Sequence, residues 1–314
     1  LNLFVSLKYL VALDDQRHFG RAALACHVTQ PALSNALKAL ETSFGTAIVK
    51  RGRSFAGFTP EGERILASAR RMLHEHELLQ QDLHSRADRP QGHLVIGAVP
   101  TAMPIAARFA ALLQDRHPGI VPKLQSISSV ELEAGLESLA IDLGLGYTER
   151  LDKGRAPLRC LPQYDEHYFL LRKAAQAGSA GLQMGPPMRW ADAARLPLCL
   201  LGPEMHNRTI VDRAFAAAGA QPRPALETNS ILALALSAAA GRVCSVMPGA
   251  LVGVVQTYRE LEALPLVEPT LVVPIAFMLP DNDRPSRTLQ AALALVQDPL
   301  WLQEAARHSS LMTG

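Results

Sequence analysis

Up to about residue 84 the apolar positions recur three or four residues apart, the period of a helix, whereas beyond residue 93 they come in short runs separated by helical stretches. Leu3, Leu7, Leu10 and Val11 predict a first helix. Phe19, Ala22, Ala23 and Cys26 predict a second, and Leu33, Ala36, Leu37 and Leu40 a third. Thr29 is placed to cap that third helix, Pro31 falls in its first turn, and Phe44-Gly45 closes it. Ile48 and Val49, the basic glycine-flanked run from Lys50 and then Phe58 predict a small hairpin of two strands. Thr59 caps a long helix that starts at Pro60, with Glu61 and Glu63 favourable at its positive end. Ile65, Ala69, Met72, His76, Leu79 and Leu83 step by four and three, a heptad seam on a rod of roughly 38 Å. Ser85 to Gly92 breaks the pattern as a linker.

From His93 onwards the texture is α/β. Strands are expected over 94–99, near 120–126, over 141–146, and near 168–172, 197–201, 224–227 and 243–247. Helices are expected near 102–115, 130–139, 208–218 and 230–240; segment 266–278 returns, and 285–298 makes a closing helix. Strands alternating with helices imply two doubly wound lobes, and two chain passages between them make a hinge and a cleft. The expected domains are 1–60 (an all-α winged helix-turn-helix), 61–89 (linker helix and hinge) and 90–314. Within the last, lobe I takes about 90–163 and 268–300 and lobe II about 164–267.

The third predicted helix spends one face on packing and leaves Gln30, Ser34, Asn35 and Lys38 on the other. Such a face suits a DNA major groove, where amides and hydroxyls read base edges and a lysine holds phosphate. The same pattern also fits an ordinary helical hairpin in a core. Thr29, Gln30, Pro31, Ser34, Asn35 and Lys38 are the candidate contacts, with Arg51 and Arg53 reaching phosphates or a minor groove from the hairpin tip. Charge supports this. The chain carries only +2 overall, yet residues 1–71 hold ten Lys and Arg against five Asp and Glu. The seam residues Ile65, Ala69, Met72, His76, Leu79 and Leu83 would pair two copies and present two heads to an inverted repeat of double-stranded DNA.

Other chemistries find little footing. His74, His76 and His84 lack an i, i+4 pair, so no metal is expected. Cys26, Cys160, Cys199 and Cys244 have neither zinc nor disulfide spacing and read as free thiols of a reducing cytoplasm. No run of 18 apolar residues and no leader-like N-terminus is present, so a cytoplasmic protein without membrane contact is expected. An enzyme would need a nucleophile–base pair or clustered acids. Gly144-Leu145-Gly146 is too short for a dinucleotide fingerprint and no Gly-x-Ser-x-Gly occurs, so no catalytic residue is assigned.

Phe19 with Arg21-Ala22-Ala23, Val28-Thr29-Gln30-Pro31-Ala32-Leu33-Ser34, Leu40-Glu41, Phe44-Gly45 and Thr59-Pro60-Glu61-Gly62 resemble the LysR-type bacterial transcriptional regulators. The likeness is dense over roughly residues 3–86 and looser to about 300. It departs at Asn35, where the family usually has a basic residue. It implies a C-terminal effector-binding domain with a fold like that of periplasmic binding proteins, a homodimer or dimer of dimers, and contact with RNA polymerase. Four strand-to-helix junctions carry small polar residues suited to a small carboxylate, and the resemblance places them around one cleft. The candidate effector residues are Thr101, Ser128, Ser129, Tyr147, His206, Asn207, Asn229 and Ser230. Tyr147 falls where some relatives that respond to aromatic acids have an arginine, which argues against a strongly dianionic effector. Peroxide-sensing members use two cysteines where this chain has His206 and Phe215, which argues against that chemistry. A likeness to regulators of formate or hydrogenase operons suggests formate or another small carboxylate, with no other cofactor. The alternatives are a constitutive DNA binder without effector and an α/β enzyme with an accessory helix-turn-helix.

Overall fold

The computed structural model describes residues 2–50, 52, 54–84, 89–149, 158–281 and 285–309. Contacts divide the chain into two compact units, one of residues 1–86 with 138–140 and the other of 87–137 with 141–314.

The first unit is built from four helices: α1 (Leu3–Gln16), α2 (Phe19–Ala25), α3 (Gln30–Phe44) and α4 (Pro60–His84). Each start has a local cause. The Asn2 side chain accepts from Val5 N, the His18 ring from Gly20 N and Arg21 N, and the Thr29 hydroxyl from Ala32 N. Gly45, at φ 66°, ends α3 in the left-handed turn that a side chain would resist. Leu7, Leu10, Leu13, Ala22, Ala23, Leu33, Leu37 and Leu40 form the core with Ile48, Phe58, Leu66 and Ala69. Arg70 of α4 donates to Asp14 at 2.8 Å and Asp15 at 2.6 Å, fastening the long helix to α1.

Two expectations change here. The hairpin after α3 is a single bridge, Val49 with Phe58, rather than two strands. Its arms are short because Thr59 already turns into α4 and Pro60 has no N–H to extend the ladder. Instead the Glu41 carboxylate of α3 accepts from Ile48 N (2.8 Å) and Val49 N (3.1 Å), anchoring the arm from the side. The heptad seam also divides. Ala69 is enclosed by the unit's own core and is unavailable to a second chain, whereas Met72, Leu79 and Leu83 are exposed. Ile65 packs partly on that core, and the His76 ring lies 5.2 Å from Phe4 of α1. The first turns of the rod are spent on its own head.

The second unit begins with β1 (Gly92–Ala98), a single 3-10 turn at Pro100–Ala102, α5 (Met103–Arg116), β2 (Ile120–Ser126), α6 (Ser129–Glu137) and β3 (Leu143–Tyr147). Next comes β4 (Leu158–Lys173), sixteen residues long. After it lie β5 (Gln183–Met184), β6 (Met188–Arg189), α7 (Trp190–Ala193), β7 (Leu198–Leu201), α8 (His206–Ala217), β8 (Leu226–Thr228), α9 (Ile231–Ala239) and β9 (Cys244–Pro248). The chain closes with α10 (Gly249–Val252), β10 (Leu261–Val267), β11 (Val272–Pro280), α11 (Arg287–Val296) and α12 (Pro299–Ser309).

The strand order β2-β1-β3-β11-β4-β9-β7-β8 runs through both lobes. β1 pairs in parallel with β2 and β3, and β7 in parallel with β8 and β9. β4 is antiparallel to β11 along residues 158–167 and to β9 and β10 along its second half, so one strand belongs to both lobes. The expected closing helix is α11, and a further helix, α12, follows it. Trp301 of α12 packs on Phe109 and donates its indole N–H to Gln163 at 2.7 Å.

Gly62 tests how closely α4 approaches the bridge. A Cβ there would lie 2.1 Å from the Ile48 carbonyl oxygen. Alanine normally gains about 1 kcal/mol over glycine in a helix. Here the clash reverses the sign, and Gly62→Ala is expected to lower stability by about 1–3 kcal/mol in denaturant unfolding followed by helical signal.

Candidate functional site

The first candidate surface is on the N-terminal unit. Leu33, Leu37 and Leu40 turn inwards, which leaves Thr29, Gln30, Pro31, Asn35 and Lys38 exposed and Ser34 half-buried. Ser34 and Lys38 border a groove of about 650 Å³ with Lys50, Gly52 and Ser54 on the bridge side. The groove is floored by Phe19, Leu37, Ala47 and Val49, so hydroxyl and amine groups rim an apolar bottom. Arg51 and Arg53 lie outside the described residues.

The second is a cavity of about 280 Å³ in the C-terminal unit, between its lobes. Thr101 comes from the turn after β1, Ser128 and Ser129 from the start of α6, and Tyr147 from the end of β3. From lobe II come His206 and Asn207, which open α8, and Asn229, which follows β8. Seven of the eight residues expected from the sequence therefore border one space. Ser230 does not; its hydroxyl accepts from Ala233 N and caps α9. A serine before a helix satisfies that helix first.

Below the cavity, buried hydrogen bonds join the lobes. The Thr101 and Tyr147 hydroxyls lie 2.7 Å apart. Asn207 donates its side-chain N–H groups to the Tyr147 hydroxyl at 3.0 Å and the Tyr168 hydroxyl at 2.8 Å. Burial, and then the nearby Glu166 carboxylate, push the Tyr147 hydroxyl far above its ordinary range, so it stays a neutral partner. Glu166 on β4 is itself fully buried. Its Oε1 accepts from Ala250 N at 3.0 Å, while its Oε2 and the Tyr164 hydroxyl have no partner. Burial pushes its carboxyl up to about 8.

The sequence reading missed the carboxylates of this site. Glu131 accepts from Ser128 N at 2.8 Å and from the Ser128 hydroxyl at 2.7 Å. The Ser-x-x-Glu spacing of a capping box was the available signal. Those hydrogen bonds hold its carboxyl below the ordinary range. Glu204 lines the same cavity, and Glu149 pairs with His206 at 2.9 Å. Glu166 carried no such signal, because a glutamate in a strand reads as an outward position. Among the described residues no three His, Cys, Asp or Glu gather as a metal site would require, and no helix is long and apolar enough to cross a membrane.

Along the chain, a helix-turn-helix unit with a long fourth helix is followed by two α/β lobes that share one strand. Residues 4–63 match the model of the bacterial regulatory helix-turn-helix protein, lysR family, and residues 87–300 match the LysR substrate binding domain. The chain belongs to the LysR family. It is 34% identical over 137 residues to the DNA-binding transcriptional dual regulator OxyR of Escherichia coli, covering 43% of this chain and 45% of that one. It is also 27% identical over 246 residues to the probable HTH-type transcriptional regulator LrrA of Synechococcus elongatus, covering 77% and 79%. The chain thus spans less than half the length of the Escherichia coli OxyR, and more than three quarters of LrrA. Among solved structures, full-length OxyR C199D of Pseudomonas aeruginosa superposes with a TM-score of 0.68 at 23% identity, covering 93% of this chain and 96% of that one. Full-length CbnR complexed with its target DNA gives 0.63 at 20%, covering 96% and 99%. These likenesses establish the fold.

Glu166 gives a pH test of the cleft floor. Folded, it holds its proton to about pH 8, against an ordinary 4.5. The folded state therefore binds the extra proton between those values, and stability falls as pH rises through that window. Glu166→Gln removes this dependence. The unfolding free energy of the variant relative to the parent, measured by denaturant titration at each pH, is expected to rise from pH 5 to pH 8, by up to about 1.4 kcal/mol per pH unit, and to level off above.

Proposed function

We propose that the chain is a sequence-specific DNA-binding transcriptional regulator whose activity is set by a small carboxylate-bearing effector in the cleft between the lobes. The observation that carries the DNA half is α3, with its leucines buried and Gln30, Asn35 and Lys38 exposed beside a groove rimmed by Ser34 and Lys50. Lys38 is assigned a phosphate contact, and Gln30, Ser34 and Asn35 base or backbone contacts; Thr29 and Pro31 set the start of the helix. Arg51 and Arg53 are assigned phosphate or minor-groove contacts at the bridge tip.

Exposed Met72, Leu79 and Leu83 on α4, with Leu3 and Phe4 of α1, favour a homodimer paired along that face. Two heads then meet an inverted-repeat operator, and a dimer of dimers working with RNA polymerase in the cytoplasm completes the reading. The effector half is supported by the meeting of Thr101, Ser128, Ser129, His206, Asn207 and Asn229 at one cavity. Formate is the smallest member of the carboxylate class, and a space of about 280 Å³ takes larger ones.

Peroxide sensing by a thiol pair is not part of this reading. Burial raises the pKa of all four cysteines. Leu198 pairs with Cys244 and Cys199 with Ser245, so Cys199 and Cys244 point to opposite faces of the sheet. Phe215 is fully buried in the core.

The test is operator binding by the full chain across a salt series. Lys38→Ala is expected to weaken binding to specific and non-specific DNA alike and to lower the salt slope by about one unit. Ser34→Ala is expected to cost about 1–3 kcal/mol against the specific site. An unchanged affinity and slope for Lys38→Ala would remove its phosphate role.

A further inference from the structure

The cavity between the lobes is charged in a way that a plain carboxylic acid does not match. At the start of α6, the place where a carboxylate ligand would sit is already taken: Glu131 accepts from both the backbone N–H and the hydroxyl of Ser128. Glu204, which lines the same space, has no ion-pair or hydrogen-bond partner among the described residues. Glu149 lies behind His206. Every formally charged side chain among the described lining residues is therefore a carboxylate, apart from the imidazole of His206. Two features still favour an acceptor. No side chain caps α8, a twelve-residue helix that opens at His206 in the cavity wall. Ser129 is 8% exposed and lines the cavity, and its hydroxyl has no hydrogen-bond partner. A buried hydroxyl left without a partner is costly, and a bound group supplies one.

We propose that the effector is a zwitterion, a small α-amino acid or a compound with the same pair of groups. Its carboxylate lies at the start of α8 within reach of the Ser129 hydroxyl, and its ammonium faces Glu204 and Glu131. This rests on the cleft being the effector site and adds the second charge. The ammonium cancels the like-charge repulsion that a lone carboxylate meets from Glu131 and Glu204, and it gives the unpaired Glu204 a partner. An acid without an amine has to displace neither glutamate yet approach both, which selects against it.

Thermal shift and calorimetry on the full chain with the twenty L-amino acids, and with the same compounds lacking the amino group, test the proposal. One or a few amino acids are expected to bind, with each deaminated counterpart at least about tenfold weaker. Glu204→Gln, at an exposed position, is expected to bring that ratio towards one, and Ser129→Ala to weaken amino acid and acid alike. Acids that bind as well as or better than their amino acids would overturn the zwitterion and leave the carboxylate cleft standing. A preference for the amine that survives both Glu204→Gln and Glu131→Gln would overturn the assignment of its partner. Binding of neither series, or binding unaffected by Ser129→Ala and Ser129→Leu, would overturn the cleft reading together with this one.

Discussion

One extended strand makes the C-terminal unit what it is. β4 pairs with β11 along its first half and with β9 and β10 along its second, so two separately wound lobes share a single backbone. Parallel strands need crossover helices, and each crossover returns a helix N-terminus to the carboxyl edge of its sheet. With both sheets tied to β4, those edges face one another. The cavity is the consequence: its polar residues come from the ends of β1, β2, β3 and β8 and the starts of α6 and α8. Tyr164, Glu166 and Tyr168, all buried, sit on β4 where it passes from one lobe to the other.

That passage explains the contrast between the floor of the cleft and its walls. A buried polar group has to be matched or it destabilises the fold. At the floor, Thr101, Tyr147, Asn207 and Tyr168 match one another with lobe I and lobe II on either side. The match is incomplete beside them: the Glu166 carboxyl meets part of its need by holding a proton, since burial disfavours the charge and only Ala250 N donates to it, and the Tyr164 hydroxyl stays unpartnered. In the wall, Ser129 keeps an unmatched hydroxyl and α8 has no side-chain cap. A site that satisfied itself completely would have nothing to offer a ligand.

Most of this was legible in the chain because the signals are local. Strand 120–126 and the starts of α3 and α4 follow from hydrophobic period, a capping threonine and a proline, each acting within a few residues. The junctions that supply Thr101, Ser129, His206 and Asn229 were visible for the same reason. What the sequence hid depends on distant partners. Nothing local says that residues 158–173 remain one strand across two lobes, or that Trp301 packs on Phe109 in a helix of its own. The bridge after α3 reads as a hairpin because Lys50 N does donate to Gly57 O and Thr59 N to Ile48 O, but the Ile48 N–H that a longer ladder would use goes to Glu41, seven residues earlier. Ser230 looked like Ser129, and only the tertiary arrangement separates a cap from a cavity wall.

The floor network also bears on how a ligand could act. A ligand shifts a conformational balance only by binding one state better than another. The lobes are already joined through Asn207 to Tyr147 and Tyr168, so closure has not been left wholly to the effector. What remains for the ligand is the wall above, where Ser128, Ser129 and Glu131 of lobe I face His206, Asn207 and Glu204 of lobe II. Groups that touch both sides favour the narrower cleft, and groups that touch one side do not. A ligand of two opposite charges spans the wall more effectively than a single carboxylate of the same size, since each end meets a group from either lobe: Ser129 and the start of α8 at the carboxylate, Glu131 and Glu204 at the ammonium. Specificity for the ligand and response to it then follow from the same contacts, which is what a regulator requires of one small cavity.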